Sequence, residues 1–245
     1  MPKLYTVGGC VRDSFLGIQS DDIDFTFVLD DLTLSVEEGF KEMEEWMAKE
    51  GFKVFLSTPD CFTIRAKFPI GHEEEGLVAD FVMSRKEVGY VEGTRRPILE
   101  LGTLEDDLIR RDFTVNAMAK SEDGDIIDLF NGESDLRNGI LDTPLDPIIT
   151  FMDDPLRMLR AIRFSITKDL VISQRVWEAI AQPGLIEKLK ETVSVERIRN
   201  ELIKALKFDT IKTLRLMSKV DVHAPGFMEA TFDKGLWLKP TFEKK

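Results

Sequence analysis

Apolar and polar positions alternate in two different periods along the first part of the chain. Residues 4–8 and 22–29 alternate at every second position and are rich in β-branched and aromatic side chains, which is typical of strands. A turn opened by glycine and a short helix are predicted between them. Residues 35–49 place apolar side chains at helical spacing, and Gly51 supplies a stop signal. The pattern predicts a helix packed on a sheet.

Further strand-like segments follow this helix. Further strands are predicted at 52–57, 61–68 and 77–83, and a loop rich in glycine and acidic residues separates the last two. An Asp-Gly pair at 123–124, between short apolar segments, predicts a hairpin.

From about Pro155 the period changes to 3.6 residues. Helices are predicted at 154–165, 173–181, 184–190, 194–207 and 209–219. The sequence therefore predicts an α+β protein with three parts: a mixed-sheet head (1–140), an all-helical neck (141–220) and a short C-terminal tail (221–245). For the tail we favour a packed segment over an RNA grip or a dimer contact.

Composition sets the class of protein. A chain of 245 residues with 43% apolar content can bury a substantial core. No apolar stretch approaches the roughly 18 residues of a membrane helix, and the first residues run directly into fold-like sequence, so a cytoplasmic protein is expected. Cys10 and Cys61 form no CxxC or Cys/His cluster, which suggests neither a zinc site nor a disulfide framework, and both are expected to be buried.

Net charge by itself does not identify a partner. The formal charge of −12 disfavours phosphate binding, but residues 181–245 carry 13 Lys and Arg against 9 Asp and Glu, a local balance of +4. A basic C-terminal region can bind a polyanion, and a solvated helical face gives the same count.

The first candidate for chemistry is the segment Gly8-Gly9-Cys10-Val11-Arg12-Asp13, which the pair Asp22 and Asp24 follows. Residues two apart on a strand point to the same face, so these two carboxylates lie side by side. Hard oxygen ligands of this kind suit Mg²⁺, and two such ions can activate a 3′-hydroxyl and stabilise pyrophosphate. Asp80, on another predicted strand, is a possible third carboxylate.

Each of these signals is weak when taken alone. The Gly8-Gly9 pair lets backbone approach a triphosphate and Arg12 can neutralise it, but most Gly-Gly pairs are simple turns. A lone Asp-x-Asp is more often a solvated strand edge than a metal site.

The segment Asp153-Asp154-Pro155-Leu156-Arg157 offers a second kind of chemistry. Asp154 and Arg157 are predicted to share one helix face, where an acceptor beside fixed donors would pair with cytosine or adenine and oppose guanine and uracil. The alternative is a capped helix with a surface salt-bridge ladder, which is the commoner meaning of an isolated Asp/Arg pattern.

Together the segments resemble the tRNA nucleotidyltransferase and poly(A) polymerase family, in the bacterial-type class of the polymerase-β-like superfamily. The resemblance runs over roughly residues 4–207 in five ordered motifs: 4–24, 105–117, 125–132, 153–164 and 194–201.

The resemblance implies a nucleotidyltransferase head, catalytic Mg²⁺, the substrates CTP and ATP, and the 3′ end of tRNA as partner. It implies that Asp22 and Asp24 hold the metal. The nucleotide pocket would be formed or supported by Gly9, Arg12, Arg110, Arg111, Asp112, Asn116, Asp154, Arg157, Arg160 and Arg163.

The chain departs from the family pattern in two ways. The selecting motif begins Asp153-Asp154 where Glu-Asp is usual, and the sequence after Lys207 is shorter than the usual helical body. RNA binding is therefore expected to be weaker, differently arranged or assisted by a homo-oligomer. CCA addition to tRNA is the leading interpretation. The alternatives are a poly(A) polymerase, an enzyme that adds only C or only A, and a noncatalytic RNA-binding module. Nucleotidyl transfer onto protein fits the arginine-rich motif less well.

Overall fold

A computed structural model describes residues 2–20, 23–90 and 97–232. The chain divides into two compact units, residues 1–133 and 134–245. The α+β class is confirmed, whereas the three-part division with boundaries after 140 and 220 stays a prediction. None of the helices in the described ranges combines the length and apolarity that crossing a bilayer requires.

The first unit, called the head, is built on a seven-stranded mixed sheet and a separate hairpin. Its strands are β1 (Lys3–Val7), β2 (Asp24–Val28), β3 (Lys53–Thr58), β4 (Thr63–Lys67), β5 (Val78–Met83), β6 (Arg85–Tyr90), β7 (Pro97–Leu101), β8 (Met118–Lys120) and β9 (Ile126–Asp128). Its helices are α1 (Gly9–Phe15), α2 (Val36–Lys49) and α3 (Leu104–Ile109). The sheet order is β3-β4-β5-β2-β1-β8-β9, in which only β2 and β5 run parallel, and β6 pairs with β7.

Successive side chains of each strand point to opposite faces of the sheet, and different elements pack on the two faces. Phe25 and Phe27 of β2 point into a core with the apolar face of α2, whose start is fixed by a capping box between Ser35 and Glu38. On the opposite face, Val7 packs against α3 in a smaller apolar cluster. The polar positions of β2 therefore lie on the face that α3 partly covers.

The second unit, called the helical unit, holds most of the remaining elements. The helix α4 (Gly132–Asn138) leads into it, and its helices are α5 (Pro147–Asp153), α6 (Leu156–Thr167), α7 (Gln174–Ile180), α8 (Leu185–Thr192), α9 (Val195–Phe208), α10 (Thr210–His223) and α11 (Phe227–Phe232). A short parallel pair, β10 (Ile140–Leu141) and β11 (Val171–Ile172), interrupts the predicted all-helical pattern. In the predicted tail, α11 buries Phe227, and residues 233–245 lie outside the described residues.

Two expectations from the sequence need correction. Cys61 is exposed in a short 3-10 turn, and Cys10 is half-buried, so the prediction that both are buried is wrong. The predicted helix at 154–165 begins later, at Leu156, because Asp154 has extended backbone angles after the end of α5. Asp154 therefore lies just before a helix, and its Oδ1 accepts a hydrogen bond from the Leu156 amide at 3.1 Å.

Candidate functional site

Two carboxylates of the head face each other across neighbouring parallel strands. Asp24, the first residue of β2, is in register with Asp80 of β5. Adjacent strands lie about 5 Å apart, and paired residues project to the same face. Asp24 is exposed and Asp80 is partly exposed, with an ion pair to Arg65 at 3.5 Å. The structure therefore places Asp80 next to Asp24 in the sheet, and the catalytic role predicted for Asp80 stays a prediction.

The donor set at this position fits a hard divalent cation. Like charges directly opposite each other on a sheet are destabilising, and a bound cation with oxygen ligands removes that repulsion. Within the described ranges no group of three or more acidic, His or Cys side chains is arranged to hold a metal. The predicted ligand Asp22 lies outside the described residues, so the metal site stays a prediction that the register of Asp24 with Asp80 supports.

A glycine turn leaves the sheet directly beside Asp24. Val7, the last residue of β1, pairs with Asp24, and the next residue, Gly8, has φ 80° and ψ −134°. Side chains with a Cβ rarely adopt this backbone conformation, which explains the glycine. The thiol of Cys10, in the first turn of α1, has a raised pKa because it is partly buried and because the charge of Asp24 is close. The start of α1 and the exposed carboxylate are therefore neighbours.

The predicted nucleotide contact Arg12 is buried in a network of polar side chains. Its guanidinium donates to Asp13 Oδ1 from Nε at 2.9 Å, and Nη1 donates to Asn116 Oδ1. Asn116 Nδ2 in turn donates to Asp112 Oδ1 at 2.9 Å. The structure thus brings together three predicted site residues, Arg12, Asp112 and Asn116, around an arginine that is only 5% exposed. A Cβ on Gly9 would lie 3.4 Å from Arg12 Nη2, so that backbone borders the same guanidinium.

The other two predicted site arginines of the head, Arg110 and Arg111, share one buried acid. Arg110 Nη2 lies 2.7 Å from Asp107 Oδ1, and Arg111 Nη2 lies 2.8 Å from Asp107 Oδ2. Thr26 Oγ1 of β2 also donates to Asp107 Oδ2 at 2.8 Å. Asp107 was not among the sequence-predicted site residues, although its position three and four residues before two arginines was a usable signal.

In the helical unit, the side chains of the two predicted base-reading residues, Asp154 and Arg157, bond to other groups and not to each other. Asp154 Oδ2 accepts a hydrogen bond from Arg197 Nη2 of α9 at 2.6 Å. Arg157 instead lies 3.3 Å from Asp153 Oδ2 and donates to the Thr150 carbonyl oxygen at 3.3 Å. The template hypothesis stays a prediction, and in this structure the carboxylate of Asp154 is held by an arginine that sequence reasoning did not select.

The other two predicted arginines of α6 are held by a second buried acid. Glu201 of α9 contacts Arg160 at 3.6 Å and also accepts a hydrogen bond from Arg163 Nε. The Arg163 guanidinium stacks on Phe164 with a centroid distance of 4.0 Å. Arg197 and Glu201 lie four residues apart in the segment 194–201 and so share one helix face. That spacing was the available signal for both.

Comparison with known proteins identifies the relatives of this chain. Residues 4–142 match the family model described as the poly(A) polymerase head domain. The CCA-adding enzyme of Limosilactobacillus fermentum is 31% identical over 232 residues, which cover 93% of this chain and 52% of that enzyme. The chain spans about half the length of the curated CCA-adding enzymes it matches.

Solved structures agree with this assignment. The Bacillus stearothermophilus CCA-adding enzyme in complex with CTP superposes with a TM-score of 0.71 at 28% identity, covering 92% of this chain and 50% of that one. A tRNA nucleotidyltransferase complexed with a primer tRNA and an incoming ATP analog gives a TM-score of 0.67 at 31% identity, covering 90% and 58%. Because the family model covers more than half of the chain and the predicted first and second motifs lie within it, the chain belongs to the poly(A) polymerase head-domain family.

Proposed function

We propose that this chain is a template-independent RNA nucleotidyltransferase that adds CCA to the 3′ end of tRNA from CTP and ATP. The observation that carries the proposal is the in-register pair Asp24 and Asp80 beside the Gly8 turn, in a head of the matched family. Curated relatives that match more than four fifths of the chain include several CCA-adding enzymes, which favours CCA addition over poly(A) synthesis.

Asp24 and Asp80, with Asp22, would hold catalytic Mg²⁺. A bound divalent cation supplies activation of the attacking 3′-hydroxyl and neutralisation of the departing pyrophosphate. The chain's own residues bind and orient the nucleotide. In this proposal Gly9 and Arg12 border the triphosphate, with Arg110, Arg111, Asp112 and Asn116 beside them.

Base selection is assigned to the helical unit. Asp154 and Arg157 would together read the edge of cytosine or adenine, and Arg160 and Arg163 would complete the pocket. A carboxylate acceptor beside a guanidinium donor matches the amine and ring nitrogen of those two bases and opposes the carbonyl and ring N–H of guanine and uracil. Asp154 then has to exchange its bond with Arg197 for one with the base.

The test uses the whole chain and a tRNA transcript that ends before the CCA. With Mg²⁺, labelled CTP and ATP are supplied separately and in sequence, and products are resolved at single-nucleotide resolution. CCA addition predicts two C from CTP, then one A, then arrest. Repeated A addition from ATP would identify a poly(A) polymerase, and incorporation of only one nucleotide type would identify a partial enzyme. Retained tRNA binding without any incorporation would identify the noncatalytic module.

The variant Asp24→Asn tests the metal site. We expect it to lower the incorporation rate by at least about a hundredfold, because loss of even an outer-shell partner of a metal costs about 10- to 100-fold. The matched control is Asp123→Asn, which removes the same charge from an exposed hairpin turn where Asn-Gly is as well suited as Asp-Gly. A rate for Asp24→Asn close to that of the control would contradict the proposal, as would full activity in EDTA.

A further inference from the structure

Asp107 of α3 is a buried carboxylate to which the proposed function assigns no role. It is 1% exposed, and its oxygens bind the hydroxyl of Thr26 and the guanidinium groups of Arg110 and Arg111. Burial by itself would raise the pKa of Asp107, but the charges of Arg111 and Arg110 outweigh it and lower the pKa to about 2. Asp107 is therefore a permanent anion inside the head at neutral pH.

Asp107 fixes the orientation of the Arg111 guanidinium. Both Nε and Nη2 of Arg111 donate to Asp107 Oδ2, at 3.3 and 2.8 Å. The third nitrogen, Nη1, faces the glycine turn, since a Cβ built on Gly8 would lie 2.8 Å from it. Across the part of the chain that the structure describes, Nη1 makes no hydrogen bond, and the Arg111 side chain is 22% exposed. A cationic donor is thus held at the turn with one side left for an anion.

The same carboxylate is bonded to the strand that carries the candidate metal ligand. Thr26 follows Asp24 by two residues on β2, and residues two apart share a face. The bond from Thr26 to Asp107 therefore sets the spacing between the exposed Asp24 carboxylate and the Arg111 guanidinium. A phosphate bound by a metal at Asp24 and by Arg111 requires that this spacing be fixed before the nucleotide arrives.

We propose that Asp107 is a positioning residue that presents Arg111 Nη1 at the Gly8 turn to a phosphate oxygen of the incoming nucleoside triphosphate. The proposal rests on the proposed function for the identity of the ligand. The competing explanation is that Asp107 only anchors α3 to the sheet, in which case its loss lowers stability and leaves nucleotide affinity unchanged.

A double-mutant cycle separates the two explanations. Asp107→Asn keeps the size of the side chain and removes its charge, and Arg111→Gln removes the guanidinium. The affinity of each variant for CTP in Mg²⁺ is measured by calorimetry without RNA, together with the KM and kcat of CTP incorporation. We expect Asp107→Asn to weaken CTP binding about tenfold, as loss of a charge-assisted hydrogen bond does, and to raise KM more than it lowers kcat. In the Arg111→Gln background it should cause no further loss.

The control lies in the same helix. Asp106→Asn removes the charge from the capping box with Thr103, in which Asp106 Oδ2 accepts the Thr103 amide hydrogen bond at 2.8 Å. The hydrogen bonds of Arg111 within the described residues go to Asp107 and Thr26, so this control leaves them in place. It should lower the melting temperature without changing CTP affinity. If Asp107→Asn does not fold, Thr26→Val replaces it in the test, because it removes the hydroxyl that donates to Asp107. We expect Thr26→Val to lower CTP affinity a few-fold in the wild-type background and to cause no further loss in the Arg111→Gln background.

The results distinguish this proposal from the proposed function. Equal loss of CTP affinity from Asp107→Asn with and without the Arg111 guanidinium would overturn the positioning role, as would a loss no larger than that of Asp106→Asn. A wild-type chain that binds CTP but does not extend tRNA would defeat only the proposed function, because the binding cycle still reports on Asp107. A wild-type chain that does not bind CTP would defeat both.

Discussion

Each of the two units contains a buried acid that holds two arginines, but the two clusters are assembled differently. Asp107 in the head binds the arginines three and four residues after it. Glu201 in the helical unit binds Arg160 and Arg163, which precede it by about 40 residues and lie on another helix. The Asp107 cluster joins residues within about one helical turn and the hydroxyl of Thr26. The Glu201 cluster forms only when α6 packs against α9.

This difference predicts which cluster stabilises its unit and which one shapes its site. A local cluster keeps its ions near each other when the chain unfolds, so part of its attraction is retained in the unfolded state. A cluster joined across helices loses all of its attraction on unfolding. We therefore expect Glu201 to matter most for the stability of the helical unit, and Asp107 to matter for the orientation of Arg111.

The largest expected effect is that of Glu201→Ala. Removing one partner of a buried ion pair leaves an uncompensated charge and costs about 3 to 5 kcal/mol. We expect about 3 kcal/mol, the low end, because Arg160 is one-third exposed and can be solvated. Urea unfolding followed by Trp177 fluorescence measures it, in a background where Trp46 and Trp237 are replaced by Phe so that the signal reports the helical unit.

The control for this prediction is Glu196→Ala, an exposed acid in the first turn of the same helix. Surface substitutions of this kind stay within about 0.5 kcal/mol. Equal unfolding free energies for the two variants would show that the Glu201 cluster does not stabilise α6 against α9.

A smaller effect is expected from the acid titration of Asp107. Its pKa is lowered from 3.8 to about 2, so the folded state binds the proton less readily than the unfolded state. The resulting stability is fully present above pH 4 and is lost as the pH falls from about 4 to about 2. A shift of this size corresponds to about 2 kcal/mol.

The measurement compares wild type with Asp107→Asn, which has no proton to bind at this position. Urea unfolding is followed through Trp46, with Trp177 and Trp237 replaced by Phe, so that the signal reports the head. The unfolding free energy of wild type minus that of Asp107→Asn should become smaller by about 2 kcal/mol as the pH is lowered from 4 to 2. A constant difference over that range would show that the ion pair does not lower the pKa of Asp107.

Local patterns predicted most of the fold, and tertiary contacts explain what they missed. Helix 35–49 and the strands β4 and β5 follow from periodicity because each alternates buried and exposed positions. The strand β3 was also predicted, although Val54, Phe55 and Leu56 are all exposed. The helix Pro147–Asp153 was not predicted, since its apolar residues do not all face inward: Ile149 is 57% exposed and Met152 is 38% exposed. The hairpin of β6 and β7 was also not predicted.

The candidate site was predictable in its residue types and only partly in its pairing. Alternation on strands predicted that Asp22 and Asp24 share one face, and the structure places Asp80 in register with Asp24. The partner of Asp154 was not predictable, because Arg197 lies 43 positions away and contacts it through tertiary packing. The pairing of Glu201 with Arg160 and Arg163 was not predicted either, because it also depends on the packing of two helices that are distant in sequence.

The smallest expected effect is that of the Asp154–Arg197 pair, and it sharpens the comparison within the helical unit. The two side chains are 26% and 51% exposed, although their atoms lie only 2.6 Å apart. Exposed ion pairs contribute about 0.2 to 1 kcal/mol because water already solvates both charges. A cycle of Asp154→Asn and Arg197→Ala should therefore give a coupling of about 0.5 kcal/mol at low salt.

Salt distinguishes this pair from the buried one. In 1 M NaCl the Debye length is about 3 Å, so salt should remove most of the coupling between the exposed side chains of Asp154 and Arg197. The coupling between Glu201 and Arg163 should persist because both side chains are largely buried. A weak and screened pair releases Asp154 at little cost, as the proposed base reading requires. A coupling above about 2 kcal/mol that survives 1 M NaCl would mean that Arg197 locks Asp154, and base selection would then have to begin by breaking a structural ion pair.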